Sequence, residues 1–542
     1  MGKPSRFLLQ CSVLLLLAIP LWGQSAPDRL VRVSGDSPFT NCVADFPQFQ
    51  PGTNFAASEV EPWIAVNPLD PQHLIATWQQ DRWSNGSARG AGVAVSFDGG
   101  ETWDAQPMPR LTLCTGGPFL RASDPWVTFG ADGSAYHMSL ATDGRTGRNA
   151  MVVQKSGDGG LTWSDPLSLI DEFPPVFNDK NTMTADPNDA RFVYATWDRL
   201  DFVNGGGPAV FTRTTDGGES WEAVQRVHDP GVTGQTIGNQ IVVQPDGTVI
   251  DFFNDVGFVP FFQQFVALKR SEDRGESWEP GGPDGPSIRV AQMLPTFAIR
   301  DPDNQIPIRA SSILFDVAVD RNDGTLYAVW TDARFNGFQW DMIALSISRD
   351  DGDTWTTPVP VNRTPINVPI LNRQAFVPSV HVNDEGRVAI TYYDFRHNGD
   401  EPESLTDHWA ITCMPDADGG EPLQLAPVAG QIPPRARGNC ADPRNWSGEV
   451  RLTAESFDIL RAPLVTTPGL FLGDYVGLTS AGDTFLALYS ATEGSDPSDA
   501  FVATFTEGPP WTGGAFLLNP PAGTSGVREA LERREPAWPL ER

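Results

Sequence analysis

The chain has 542 residues, 40% hydrophobic and 20% charged, which is enough apolar material for a large core and too little charge for wholesale disorder. Lys and Arg total 38 against 68 Asp and Glu, and this formal net charge of −30 repels phosphate backbones and argues against nucleic acid as a partner. Beyond residue 25 no stretch reaches the roughly 18 apolar residues that span a bilayer, so no membrane anchor is expected.

Residues 1–25 read as a secretory signal peptide. Lys3 and Arg6 precede an apolar run from Phe7 to Trp22, and Gly23-Gln24-Ser25 offers small residues for cleavage. The mature protein is therefore expected to be secreted or periplasmic. Cys11 lies in the apolar run, which leaves Cys42, Cys114, Cys413 and Cys440. An even number in an oxidising compartment predicts two disulfides, with Cys42–Cys114 and Cys413–Cys440 favoured among three connectivities. There is no CxxC or HExxH spacing, and the six His are scattered. No cofactor is expected, and so acidic a surface leaves structural calcium as an open alternative.

Residues 26–54 form an N-terminal segment, in which a strand around Leu30–Val33 is predicted to close onto the last repeat. Repeats dominate the rest of the chain. The octamers SFDGGETW, SGDGGLTW, TTDGGESW, SEDRGESW and SRDDGDTW carry Asp98, Asp158, Asp216, Asp273 and Asp350. The shared pattern suits a hairpin turn. Asp and Ser/Thr oxygens accept backbone N–H groups, Gly supplies positive φ, and Trp packs on the returning strand. These Asp are read as structural.

A looser repeat lies upstream: a short apolar strand, a turn rich in Asp, Asn, Pro or Gly, then a second strand. Seven copies run from WIAVNPLDPQHLIATWQQDR to YVGLTSAGDTFLALYSATEG. Two strands per copy, with a third and fourth joined by the octamer, make a four-stranded propeller blade. The prediction is an all-β chain with a single β-propeller over 55–519, seven-bladed, or six-bladed if one unit is misread. The sixth unit lacks the octamer and carries an insertion at 414–446 bracketed by Cys413 and Cys440. A tail, 520–542, completes the chain.

The octamers resemble the Asp boxes, or BNR repeats, of the sialidase superfamily. That resemblance implies a propeller and a carbohydrate or glycoconjugate as partner. The superfamily holds exo-sialidases and related glycosidases alongside non-catalytic binding propellers. Retaining sialidases hold the sugar carboxylate with three Arg and use a Tyr nucleophile assisted by Glu, with an Asp acid/base. Blade topology puts the starts of first strands and the ends of second strands on one face, opposite the octamer turns. On that face the resemblance points to Tyr475 as nucleophile, Glu61 as its partner and Asp124 as acid/base, with Tyr393 as the rival nucleophile. Arg121, Arg334, Arg396 and Arg373 are the corresponding candidates for binding substrate. The F/Y-R-I-P motif usual before the first Asp box is absent before Ser96; the nearest segments are FLRASDP, around Arg121, and IPIR, ending at Arg309. The expected function is a secreted, monomeric, sialidase-like exo-glycoside hydrolase. The alternatives are a non-catalytic binding propeller and an enzyme using two carboxylates.

Overall fold

The computed structural model describes residues 25–143, 146–310, 312–415, 439–466 and 469–511. The predicted signal peptide up to residue 24, the core of the predicted insertion and the predicted tail lie outside the described residues.

The described chain is all-β apart from short 3-10 turns, and its strands form successive antiparallel four-stranded units. The first unit is Glu59–Asn67, Asp70–Arg82, Ala88–Ser96 and Asp104–Pro107, and the second begins with Arg121–Phe129. A single bridge, Ala88 to Ala122, links these two units. The third unit opens with Val176–Ala185, the fourth with Gly234–Val243 and the fifth with Phe315–Val319. The sixth runs Ala375–Val382, Val388–Asp394, Leu405–Cys413 and Val450–Arg451, with Phe457–Asp458 also pairing to its third strand. In the last unit Gly477–Ala481, Thr484–Glu493 and Asp496–Phe505 are completed by Arg29–Arg32, the predicted N-terminal closure. Neighbouring first strands touch in chain order, and the first strand of the last unit touches that of the first.

The core lies between units, because each sheet is covered on both faces. Strands such as Leu326–Asp332 and Ala88–Ser96 are buried throughout. Ile75 and Val93 of the first unit pack with Val127, Val152 and the octamer Trp163 of the second.

The octamers form the predicted turn. Ser96 Oγ donates to Asp98 Oδ1 at 2.8 Å and accepts from Gly100 N at 2.9 Å. Asp98 also accepts from Thr102 N at 2.9 Å and Thr102 Oγ1 at 2.6 Å, and Trp103 Nε1 donates to Gly100 O at 3.2 Å. These hydrogen bonds, led by that from the Thr102 hydroxyl, hold the Asp98 carboxyl down at about 2. Where the sixth unit lacks an octamer, the disulfide Cys413–Cys440 follows its third strand, and Cys42–Cys114 ties the N-terminal segment to the first unit. Both favoured pairings are present. Among the described residues no helix is long and apolar enough to cross a membrane.

Candidate active site

One irregularity recurs in the first strands. The pairing register slips between Val60 and Trp63, Ser123 and Trp126, Asp179 and Thr182, Ile237 and Gln240, and Phe376 and Ser379. Within each slip one residue takes positive φ: Glu61 at 54°, Asp124 at 47°, Lys180 at 52°, Gly238 at 72° and Val377 at 50°. A bulge re-aims a side chain, and non-glycine residues hold this conformation only where their surroundings impose it. Three of the five are charged, and they meet.

Lys180 is the hub. Its Nζ lies 3.3 Å from Glu61 and 3.6 Å from Asp124, and it makes a close ion pair with Asp474. Arg309 Nε donates to Asp474 Oδ1 at 2.9 Å, and its Nη2 closes the fork on the other oxygen. Gln79 donates to Glu61, and Arg82 donates to Gln79 Oε1 at 2.6 Å. The guanidinium groups of Arg82 and Arg309 each stand 4.8 Å from the ring centre of Phe471. Glu61, Asp124, Lys180, Asp474 and Arg82 are buried.

The segment before the last unit brings Asp474 here. Glu61 N donates to Leu472 O at 3.3 Å, and Asp474 N donates to Glu61 Oε1 at 3.4 Å. Gly473, at φ 142°, makes this approach tight: a Cβ there would lie 2.8 Å from Glu61 N. Arg309 comes from the long connection between the fourth and fifth units.

Burial sets the protonation states apart. It raises the Glu61 carboxyl to about 8, with Lys180 opposing and Asp124 and Asp474 adding to the rise. Burial also works against charge on Asp474, but Arg309 and Lys180 outweigh it and hold that carboxyl well below the ordinary range. Lys180 stays charged despite burial because Asp124, Asp474 and Glu61 surround it. Beside them Asp198, raised by burial and by Asp179, has both carboxylate oxygens buried without a hydrogen-bond partner. At neutral pH the cluster thus holds a protonated carboxyl next to an ionised one.

Tyr475 sits beside the cluster. Its hydroxyl donates to the Pro125 carbonyl at 3.0 Å, not to Glu61. Its ring meets Trp63 and Trp126 edge-on, and those two indoles stack with centroids 3.5 Å apart. Burial, then Glu61, Asp124 and Asp474, push its phenol well above the usual value. Tyr475, Lys180 and Asp474 line a cavity of about 30 Å³, room for about two waters and too little for a sugar ring.

The structure thus brings Glu61, Asp124 and Tyr475 close together. It does not bring the four expected Arg to them. Arg121 donates to Gln50 Oε1 at 2.7 Å and Gly86 O at 2.8 Å and stacks on Trp83. Arg334 forks Asp332, and Arg396 binds Asp394 and Glu449 over the Trp409 ring. Arg373 donates to Val368 O at 2.9 Å and covers Trp340. The guanidinium groups at the cluster are instead Arg309 and Arg82. The rival Tyr393 is fully buried, with its hydroxyl on Ser490 O at 2.9 Å. The five octamer Asp accept hydrogen bonds within their own turns.

Lys180 lies in the first strand of the third unit, and Arg309 and Asp474 lie shortly before the fifth and last units, where nothing local in the sequence joins them. A usable signal was present. Glu61-Pro62-Trp63 and Asp124-Pro125-Trp126 repeat one acid-Pro-Trp motif at matching bulges.

No family model matches the chain, and no curated protein matches it. Among solved structures it is similar to the Hadza microbial sialidase Hz136 at 15% identity and TM-score 0.42, over 80% of this chain and 73% of that one. It is similar to Penicillium chrysogenum alpha-L-arabinanase complexed with arabinobiose at 14% identity and TM-score 0.43, over 63% and 93%. It is also similar to Trypanosoma rangeli sialidase in complex with the inhibitor DANA at 16% identity and TM-score 0.39, over 65% and 54%.

Proposed function

We propose that this chain is an exported, glycan-active β-propeller of seven four-stranded blades whose central cluster carries sialidase-like glycoside hydrolase chemistry. The contact between the first strands of the last and first units supports the ring. The observation that carries the chemistry is the pairing of opposed protonation states: Glu61 raised to about 8 beside Asp474 held ionised. Separated carboxyl protonation states of this kind mark acid and base roles. In this reading Glu61 is the proton donor to a leaving oxygen, whereas Asp124, expected to be the acid, is ion-paired to Lys180 at 3.6 Å. Asp474, Lys180 and Arg309 hold the charge balance around it. Tyr475 is the nucleophile of this reading: turned from Pro125 O when substrate opens the site, its hydroxyl gives its proton to the Asp124 carboxylate as its oxygen bonds the anomeric carbon, while the Glu61 proton goes to the departing oxygen.

A second reading, a non-catalytic glycan-binding propeller with the cluster as an internal clamp, is favoured by the cavity of about 30 Å³. Fluorogenic glycosides, a sialoside among them, separate the two readings. Turnover by the wild type that falls about 100-fold or more in Glu61→Gln supports the hydrolase. Turnover lost in Tyr475→Phe adds the nucleophile. Absence of turnover across the panel, with the protein folded, supports the binding reading instead.

A further inference from the structure

A second cavity, of about 460 Å³, shares no lining residue with the central one. Its volume falls in the range of small-ligand sites, about 300–1,000 Å³. It is walled by the loop from His228 to Gly234, the second-strand end Asp255–Gly257 and the outer strand of the fourth unit.

The charges lining it are unevenly satisfied. Asp229 is paired with Arg226. Asp255 accepts from Ser287 Oγ at 2.8 Å and lies 3.9 Å from His228 Nε2. Arg289 is different. Its guanidinium lies over the Phe265 ring at 3.9 Å and is exposed, and it has no carboxylate partner among the described residues. In a chain of net charge −30 this is a cation left open on a cavity wall. The facing loop presents Phe261, 56% exposed, as an apolar platform.

We propose that this cavity is a binding site for a small carboxylated sugar of the uronic acid class. Arg289 forks the carboxylate, with its plane held by Phe265. Phe261 covers the apolar face of the ring. The Gln263 amide takes a hydroxyl group. The cavity stands apart from the central cluster, so its ligand does not depend on whether that cluster is catalytic.

Titrating the full mature protein with glucuronate, and with glucose as the neutral counterpart, tests it by calorimetry or saturation-transfer NMR. The expected result is binding of glucuronate over glucose, weakened about tenfold or more in Arg289→Ala, which loses a charge-assisted hydrogen-bond pair. Arg289→Lys keeps the charge but loses the fork, and binds between the two. Glu61→Gln binds as the wild type does. Glucose bound as well as glucuronate, or no glucuronate binding at millimolar concentration, overturns the proposal. So does binding that survives Arg289→Ala and disappears in Glu61→Gln, which assigns the acid to the central cluster.

Discussion

Glu61→Gln reaches the protonation state on which the proposed chemistry depends. The amide has the shape of the neutral acid, and its one oxygen still accepts from Lys180 as Glu61 Oε1 does. In the wild type the Glu61 carboxyl moves from 4.5 to about 8 on folding. Between those values the folded protein holds a proton that the unfolded chain releases. Wild-type stability therefore falls as pH rises through this window, by up to about 1.4 kcal/mol per pH unit. Across the full separation the loss is at most about 5 kcal/mol. The Gln variant has no such loss. Asp474 acts with the opposite sign: its folded value lies below its unfolded one, so its contribution is present above the unfolded pKa and is lost only in acid. Burial also raises Asp198, Glu59 and Asp251, which the wild type and the variant share, so the difference between the two proteins reports Glu61. Urea unfolding followed by the fluorescence of the 17 Trp, at pH 5, 6, 7 and 8, measures the difference. The variant should gain on the wild type steadily up to about pH 8 and then level off. Parallel profiles would show Glu61 ionised in the folded protein and would remove it as a proton donor.

Lys180→Met strips the hub from three buried carboxyl groups and should cost about 3–5 kcal/mol at neutral pH in urea unfolding, with a smaller loss near pH 4, where Asp474, no longer held ionised by Lys180, takes up a proton. An equal loss at both pH values would mean that packing, not charge, is what Lys180 supplies. Gly473→Ala places a methyl group against the Glu61 backbone, so it should abolish turnover or strongly destabilise the fold; a stable, fully active variant would refute the close approach. Asp98→Ala removes one turn staple, with an expected cost of about 1–2 kcal/mol and unchanged ligand binding. Cys42→Ser with Cys114→Ser opens a 72-residue separation, worth about 4 kcal/mol in chain entropy, read as a lower urea midpoint.

Most of the fold was legible because it is local. Each octamer closes its turn with atoms two to four residues apart, as Ser96, Asp98, Gly100 and Thr102 do, so the motif carries its own geometry. The strand alternation and the Gly-rich turns are equally short-range. The site was legible only in part. Glu61, Asp124 and Tyr475 were placed near one another from blade order. The partners that decide their chemistry come from other units: Lys180 is 119 residues from Glu61, and Arg309 is 165 from Asp474. Arg121, Arg334, Arg396 and Arg373 looked equivalent to Arg309 in sequence. Each instead found a carboxylate, a carbonyl or an aromatic ring close by.

Repetition and turn chemistry thus determined the strand units and the octamer staples, since those depend on hydrogen bonds within a few residues. Only the tertiary structure decided which charges meet. Glu61 and Asp474 are 413 residues apart, and they touch because the last unit packs against the first. Burial there then sets one carboxyl to hold its proton and the other to lose it, because a charge removed from water takes its state from the few groups left around it.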